Sequence, residues 1–263
     1  MDKKVVVRGG GDLASGVILR LHRCGFKVLV TELEKPLVVR RTVAFAEAVN
    51  QTQVQVEEIT GRRIFSMEEA GSCWENGIVP VMVDPEGTAF EAIGADVVVD
   101  GRMMKQEVVA TLAQTPMVIG LGPGFLAGKN CHAVVETKRG PFLGRVIWKG
   151  MAEINSGIPE IVQGRGQERV LRAPASGKFR AIRQIGDFVD ADDLLGDVNG
   201  YDVKAPFAGM VRGLIDNQVD VLKGMKIGDV DPRQDIRLVQ LVSDKALAIG
   251  GGVLEAILTA NGA

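Results

Sequence analysis

Gly9, Gly11 and Ala14 stand in the spacing G-x-G-x-x-A, directly after the apolar run Val5-Val6-Val7. Glu32 lies 21 residues beyond Gly11 (32 − 11). This is the pattern of a phosphate-binding turn with an acid placed for a ribose hydroxyl. A turn without Cβ atoms lets a phosphate approach the backbone, and the helix that follows offers N–H donors and partial positive charge. Asp12 cuts against that reading, because a carboxylate beside a phosphate repels it. A tight turn that binds nothing is the structural alternative. The candidate binding residues at this turn are Gly9, Gly10, Gly11, Asp12, Ala14, Ser15 and Glu32.

Further polar clusters follow other apolar runs. Asp84 follows Val79–Val83. Asp100, Arg102 and Lys105 follow Val97–Val99, and together they could grip an acidic ligand or form a solvated loop paired with its own Asp. Gly122 and Gly124 follow Met117–Gly120, and Glu136 ends the run from His132. The stretch Gly124–Lys129 imitates a P-loop, but Pro123 stands where the first glycine belongs and Asn130 replaces the Ser/Thr. Cys131 is the one candidate catalytic thiol. Its neighbour His132 should face the opposite side of a strand, so a structural Cys and an ordinary His are the competing reading. No metal set is visible: His22 and His132 are the only histidines, the three cysteines are scattered, and no G-x-S-x-G elbow occurs.

Strands alternating with helices must position these residues. The predicted elements are a strand over 5–7, a helix from Asp12 to Cys24, a strand over 26–30, a helix opened by the Ser66–Glu69 capping box, strands over 79–83, 96–99, 117–120 and 132–136, and a helix over 104–113. That order predicts an α/β fold, with a Rossmann-like, mainly parallel sheet over residues 1–168. Ligands in such sheets sit beyond the carboxyl ends of the strands, where every polar cluster above falls.

Residues 169–235 read differently. Ala173-Pro-Ala-Ser-Gly177 returns as Ala205-Pro-Phe-Ala-Gly209 at an offset of 32 (206 − 174). Arg180 then matches Arg212, Val189 matches Val221, and Gly196-Asp-Val198 matches Gly228-Asp-Val230. Two 32-residue all-β halves with these elements resemble the barrel-sandwich hybrid of biotinyl and lipoyl carriers. In those carriers a lysine on the central hairpin holds the prosthetic arm. Here Asn199-Gly200 forms the tip, and Lys204 is read as an exposed strand residue, so neither biotin nor lipoate is expected. Residues 236–263, with a helix from Asp244 capped by Ser243, are expected to return to the α/β domain, which makes the barrel an insertion. Gly250-Gly251-Gly252 within it predicts a break or a close approach to another element.

The bulk numbers remove some partners. A net charge of −2 gives no electrostatic reason to expect nucleic acid, and one Tyr and two Trp leave no aromatic platform for it. No apolar run reaches membrane length, so no membrane is expected. The odd, scattered cysteines and the absence of a signal peptide predict a cytoplasmic protein. Homo-oligomerisation stays open.

Three segments carry a family resemblance: Val7-Arg-Gly-Gly-Gly-Asp-Leu-Ala-Ser-Gly16, His132-Ala-Val-Val-Glu-Thr-Lys-Arg-Gly140, and Lys226-Ile-Gly-Asp-Val-Asp-Pro-Arg233 with Ser243-Asp-Lys245. Over nearly its full length the chain is similar to the YqeB-type accessory proteins of selenium-dependent molybdenum hydroxylases. The resemblance implies a cytoplasmic factor that helps mature or insert the molybdenum cofactor. Its partner would be the hydroxylase, and its ligand a nucleotide or molybdopterin dinucleotide. It implies no particular reaction and no catalytic residue. An NAD(P)-dependent oxidoreductase and a non-catalytic interaction protein are the alternatives; the first lacks an obvious proton donor, since Tyr201 lies in the repeat.

Overall fold

A computed structural model describes residues 2–103, 117–154 and 161–260. The chain divides into two compact units. One comprises Met1–Glu34, Ala44–Asn155 and Val242–Ala263, and the other Lys35–Val43 and Ser156–Leu241. The expected helix over 104–113 and Lys105 lie outside the described residues.

The larger unit is built on nine strands: β1 (Lys4–Arg8), β2 (Lys27–Glu32), β3 (Gln53–Val56), β4 (Ile59–Ile64), β5 (Val79–Val83), β6 (Val97–Asp100), β7 (Met117–Leu121), β8 (Ala133–Val135) and β9 (Val146–Ile147). Their spatial order is β3-β4-β5-β2-β1-β6-β7-β8-β9. Val5, Val6 and Val7 of β1 are all buried, as β-branched residues on a central strand should be. The helix α1 (Asp12–Arg23) begins where Gly11 is extended, with φ −69° and ψ −179°. Gly11 is therefore the N-cap. Its buried face carries Val17, Ile18 and Leu21. The helix stops where the Gly25 N–H bonds back to the His22 carbonyl, with Gly25 at φ +80°.

The expected architecture is corrected in both parts. Seven strands of the large sheet run parallel, but β3 pairs antiparallel with β4 at one edge and β9 antiparallel with β8 at the other. The sheet is therefore mixed, and not a Rossmann-like parallel sheet. The β3–β4 hairpin escapes sequence reading because its turn is Glu57-Glu58, with Glu57 forced to φ +52°; neither Asn-Gly nor Asp-Gly marks it.

The smaller unit holds two four-stranded antiparallel sheets rather than the barrel-sandwich hybrid expected from the repeat. The strands are β10 (Val170–Arg172), β11 (Gly177–Ala181), β12 (Phe188–Val189), β13 (Leu194–Val198), β14 (Tyr201–Lys204), β15 (Gly209–Leu214), β16 (Asp220–Val221) and β17 (Lys226–Asp231). One sheet runs β10-β17-β15-β12 and the other β14-β13-β11-β16. Each sheet mixes strands from both halves of the repeat. A half of this length cannot bury an apolar face alone, so the two halves exchange strands and share one core around Phe179, Leu195, Val211, Ile227 and Val230. Asn199 and Gly200 both take positive φ, +54° and +83°, in the tight turn between β13 and β14. Lys204 is exposed on β14.

Under one of these sheets lies a charged network. Asp231, with no solvent exposure, meets Arg233 at 2.7 Å, Arg169 at 3.5 Å and Arg212 at 3.7 Å. Asp229 meets Arg169 at 3.3 Å and Arg212 at 3.6 Å. Burial alone would disfavour the Asp231 charge. The Arg233 hydrogen bonds and the charges of Arg233 and Arg169 outweigh it and hold the carboxyl below its usual range.

The remaining described helices are short, α2 (Ala48–Gln51), α3 (Glu68–Glu75) and α4 (Ala89–Ile93), except for α5 (Asp244–Ala260). Glu69 reaches back to accept the Phe65 and Ser66 N–H groups, although no side chain caps α3. The α5 helix runs unbroken through Gly250–Gly252 and packs on α1. A Cβ on Gly250 would stand 2.5 Å from the Gly16 carbonyl oxygen, so the glycines serve close approach.

Candidate functional site

The candidate residues converge on the carboxyl end of the central strands. Arg8 at the end of β1 pairs in register with Thr31 of β2 and Asp100 of β6. Gly9 follows at φ +88°, a conformation that favours glycine, and its N–H donates to the Thr31 carbonyl at 2.7 Å. Arg102 packs against Gly9, 3.5 Å from where a Cβ would stand. Ala14, the third position of the motif, faces Gly101, whose Cβ would come within 2.9 Å of the Ala14 methyl. A larger residue at either place would push α1 off the sheet.

The loop itself is heavily tied down. Gly10 accepts from the Ala46 N–H at 2.9 Å and from the Ser15 hydroxyl at 3.2 Å. Ser15 in turn accepts the Phe45 N–H at 3.1 Å, which makes it a buried clamp between α1 and residues 44–47. Glu32 accepts the Gly10 N–H on Oε2 and the Leu33 N–H on Oε1, each at 2.8 Å. Burial pushes its carboxyl above the usual carboxylate range, against those two donors. The structure thus places Glu32 on the loop backbone. Gly11 alone faces open space, and the first-turn N–H groups of α1 begin there.

Two arginines and three acids gather at the strand end beside the loop. Asp100, 3 % exposed, holds Arg102 through both carboxylate oxygens, at 3.0 Å from Nε and 2.6 Å from Nη2. That pairing raises the Arg102 pKa. Arg8, which the motif search passed over, lies beside it. Its guanidinium packs over Gly87 and donates to the Glu86 carbonyl at 2.9 Å. Burial and the neighbouring Arg102 charge both lower the Arg8 pKa, while Asp100 and Asp84 oppose them. Asp84 is spent on its own turn, accepting the Gly87 and Ala89 N–H groups. Arg8 and Arg102 bring two guanidinium groups together next to Asp84, Glu86 and Asp100, and an anion bound here would compete with those carboxylates. The signal that could have found Arg8 is its position, the last residue of the strand that leads into the glycine loop.

The remaining candidates lie apart from that seat. Gly122, at φ +72°, and Gly124, at φ +99°, shape the turn after β7. Glu136 is buried and accepts the Thr137, Lys138 and Glu153 N–H groups, each at 2.7 Å, so it organises its own loop. Cys131 is fully buried among Val118, Phe125, Ala127 and Val134, and burial pushes its thiol up to about 11. A protonated core thiol is a poor nucleophile. His132 Nδ1 accepts the Val118 N–H at 2.9 Å, a structural role. Among the described residues no group of three or more His, Cys, Asp or Glu is placed to hold a metal ion, and no helix is long and apolar enough to cross a membrane. A groove of about 420 Å3 lined by His22, Phe26, Lys27, Trp74 and Glu75 opens at the opposite, amino end of β2. Its polar atoms are engaged: His22 Nε2 with the Gly77 carbonyl, Trp74 Nε1 with the Val28 carbonyl and Lys27 with Asp2.

No family model matches the chain. Among solved structures, an aspartoacylase family protein from Mesorhizobium loti is 12 % identical with a TM-score of 0.28, over 89 % of this chain and 86 % of that one. A succinylglutamate desuccinylase/aspartoacylase from Rhodobacter sphaeroides is 16 % identical with a TM-score of 0.27, over 89 % and 87 %. Scores at this level carry nothing about fold or activity. Among curated proteins, the uncharacterized protein YqeB of Escherichia coli (strain K12) is 48 % identical over 254 residues, which make up 97 % of this chain and 47 % of that protein. The chain therefore spans about half the length of the curated relative it matches, and across nearly all of its own length it is a YqeB-type protein.

Proposed function

We propose that this chain is an accessory factor for maturing a molybdenum hydroxylase, and that it binds a nucleotide or molybdopterin-dinucleotide-type anionic ligand at the Gly9–Gly11 loop. The observation that carries the ligand is the pair Arg8 and Arg102 at the carboxyl ends of adjacent strands, with Arg102 packed against Gly9 of the loop. The hydroxylase partner, its selenium-dependent form and a cytoplasmic location rest on the resemblance of the segments 7–16, 132–140 and 226–233. Such a factor needs complementarity to anionic groups and no nucleophile, which agrees with Cys131 being a protonated core residue.

Thermal stabilisation across NAD, NADP, CTP, ATP and molybdopterin dinucleotides tests the ligand, because a ligand that binds only the folded state raises stability by linkage. Stabilisation by at least one of them, lost in Arg8→Gln, is the expected result; no shift with any would sink the reading. Co-purification with a molybdenum hydroxylase tests the partner. One observation favours a second reading, a non-catalytic interaction protein: Glu32 already occupies the Gly10 N–H that a phosphate would take. That reading predicts no shift with any ligand in the panel. Hydride transfer from bound NADH would instead favour the oxidoreductase.

A further inference from the structure

Phe65 stands one residue beyond β4, at the same carboxyl edge as the glycine loop, and it is 70 % exposed. The registers Ile64–Met82, Met82–Thr31 and Thr31–Arg8 align four strands in one row. One residue further, Glu32 and Val83 are in register, and Phe65 is the first residue after β4. Side chains in one row, and those two apart on a strand, share a face, so Arg63, whose guanidinium packs on the Phe65 ring, lies on the face of Val30 and Glu32. From β4 to β1 are three strand spacings, ~14 Å. An extended nucleotide spans that distance.

Phe65 is also held in place. The Arg63 guanidinium lies over one face of its ring, 4.9 Å from the centroid, and is itself anchored by a 2.8 Å hydrogen bond from Nη1 to the Val49 carbonyl. Glu69 takes the Phe65 N–H at 2.8 Å. A large aromatic ring fixed from below and behind, yet open to solvent, loses little freedom when a planar group settles on it. Among the described residues, Leu33, just after β2, is also exposed at this edge.

We propose that Phe65 is a stacking platform for the planar heteroaromatic ring of the ligand whose phosphates lie at the Gly9–Gly11 loop. The assignment rests on the function proposed above and adds the second end of the ligand. It selects a base-bearing nucleotide, mono- or dinucleotide, over a simple phosphate ester. Arg63 beneath the ring adds a cation–π contact that stiffens the platform.

Equilibrium binding of ATP, CTP, NAD and inorganic pyrophosphate to the whole chain tests it. Phe65→Ala should weaken the best nucleotide by roughly 5- to 150-fold, the range of base–aromatic stacking, and leave pyrophosphate unchanged. Phe65→Trp should restore nucleotide binding. Arg8→Gln should weaken nucleotide and pyrophosphate alike. Nucleotide affinity unchanged in Phe65→Ala, with Arg8→Gln still weakening both probes, overturns the platform and leaves the phosphate site standing. Equal weakening of pyrophosphate by Phe65→Ala overturns it as well. If the native chain binds none of the four, the platform falls, while the function proposed above falls only if molybdopterin dinucleotides and NADP also leave the chain unstabilised.

Discussion

Glu32, half-buried in the larger unit, and Asp231, fully buried in the smaller one, are satisfied in opposite ways. Glu32 meets only backbone: the Gly10 and Leu33 N–H groups take its two oxygens, and burial keeps its carboxyl above the usual range. Asp231 meets guanidinium groups, from Arg169, Arg212 and Arg233, and Arg233 and Arg169 hold it below the usual range against its burial. The larger unit thus organises its site by fixing backbone at close range. The smaller unit closes its core with charge. Buried carboxylates bonded to N–H groups tie down a loop, whereas buried carboxylates among arginines tie strands together and are costly to break.

The largest effect that would break this contrast is Asp231→Ala. It removes the buried carboxylate that Arg169, Arg212 and Arg233 share, and about 3–5 kcal/mol should be lost in urea unfolding. A loss below about 1 kcal/mol would show that the network carries little. Next is Gly16→Ala in the larger unit. Its new methyl would overlap the Ala246 carbonyl where α1 crosses α5, and the cost should be about 1–3 kcal/mol. Unchanged stability would mean the helix pair tolerates separation.

The smallest effects are in pH, and they carry opposite signs. The Asp231 pKa is lowered on folding, so its stabilisation is present above the ordinary value of 3.8 and lost as pH falls toward the lowered one. The Glu32 pKa is raised on folding, so its contribution is present below the ordinary value of 4.5 and lost as pH rises through the raised one. Subtracting the stability curve of Glu32→Gln from that of the native chain should leave a difference that declines with rising pH above 4.5. Asp231→Asn should leave one that declines with falling pH below 3.8. Two differences of the same sign would remove the distinction.

Much of the central sheet was legible. Continuous β-branched runs announce β1 and β6 because buried parallel strands demand them, and the glycine loop announces the β1–α1 turn. The edges were not. The β3–β4 hairpin turns on Glu57-Glu58, whose types carry no turn signal, and β9 is two residues long. These edge strands make the sheet mixed. The repeat at offset 32 was legible as a repeat, but pairing decides which strands neighbour each other, and β10 and β12 chose β17 and β15 of the other half. In the site, spacing found Gly9, Glu32 and Arg102. It assigned Glu32 to a ribose, since no sequence records that the Gly10 N–H lies 2.8 Å from its carboxylate. It passed over Arg8 and Phe65, which matter through their places at the strand ends.

By itself the sequence determined the local features: where strands begin, where a glycine loop turns into α1, that no lysine tips the Asn199-Gly200 hairpin, and that the chain is YqeB-like. Only the tertiary structure decided the mixed sheet, the exchange of strands between the repeat halves, the burial of Cys131 and the occupation of the loop by Glu32. The physical reason is range. Propensity and turn chemistry act over a few residues, whereas register, desolvation and charge pairing depend on neighbours tens to hundreds of positions away.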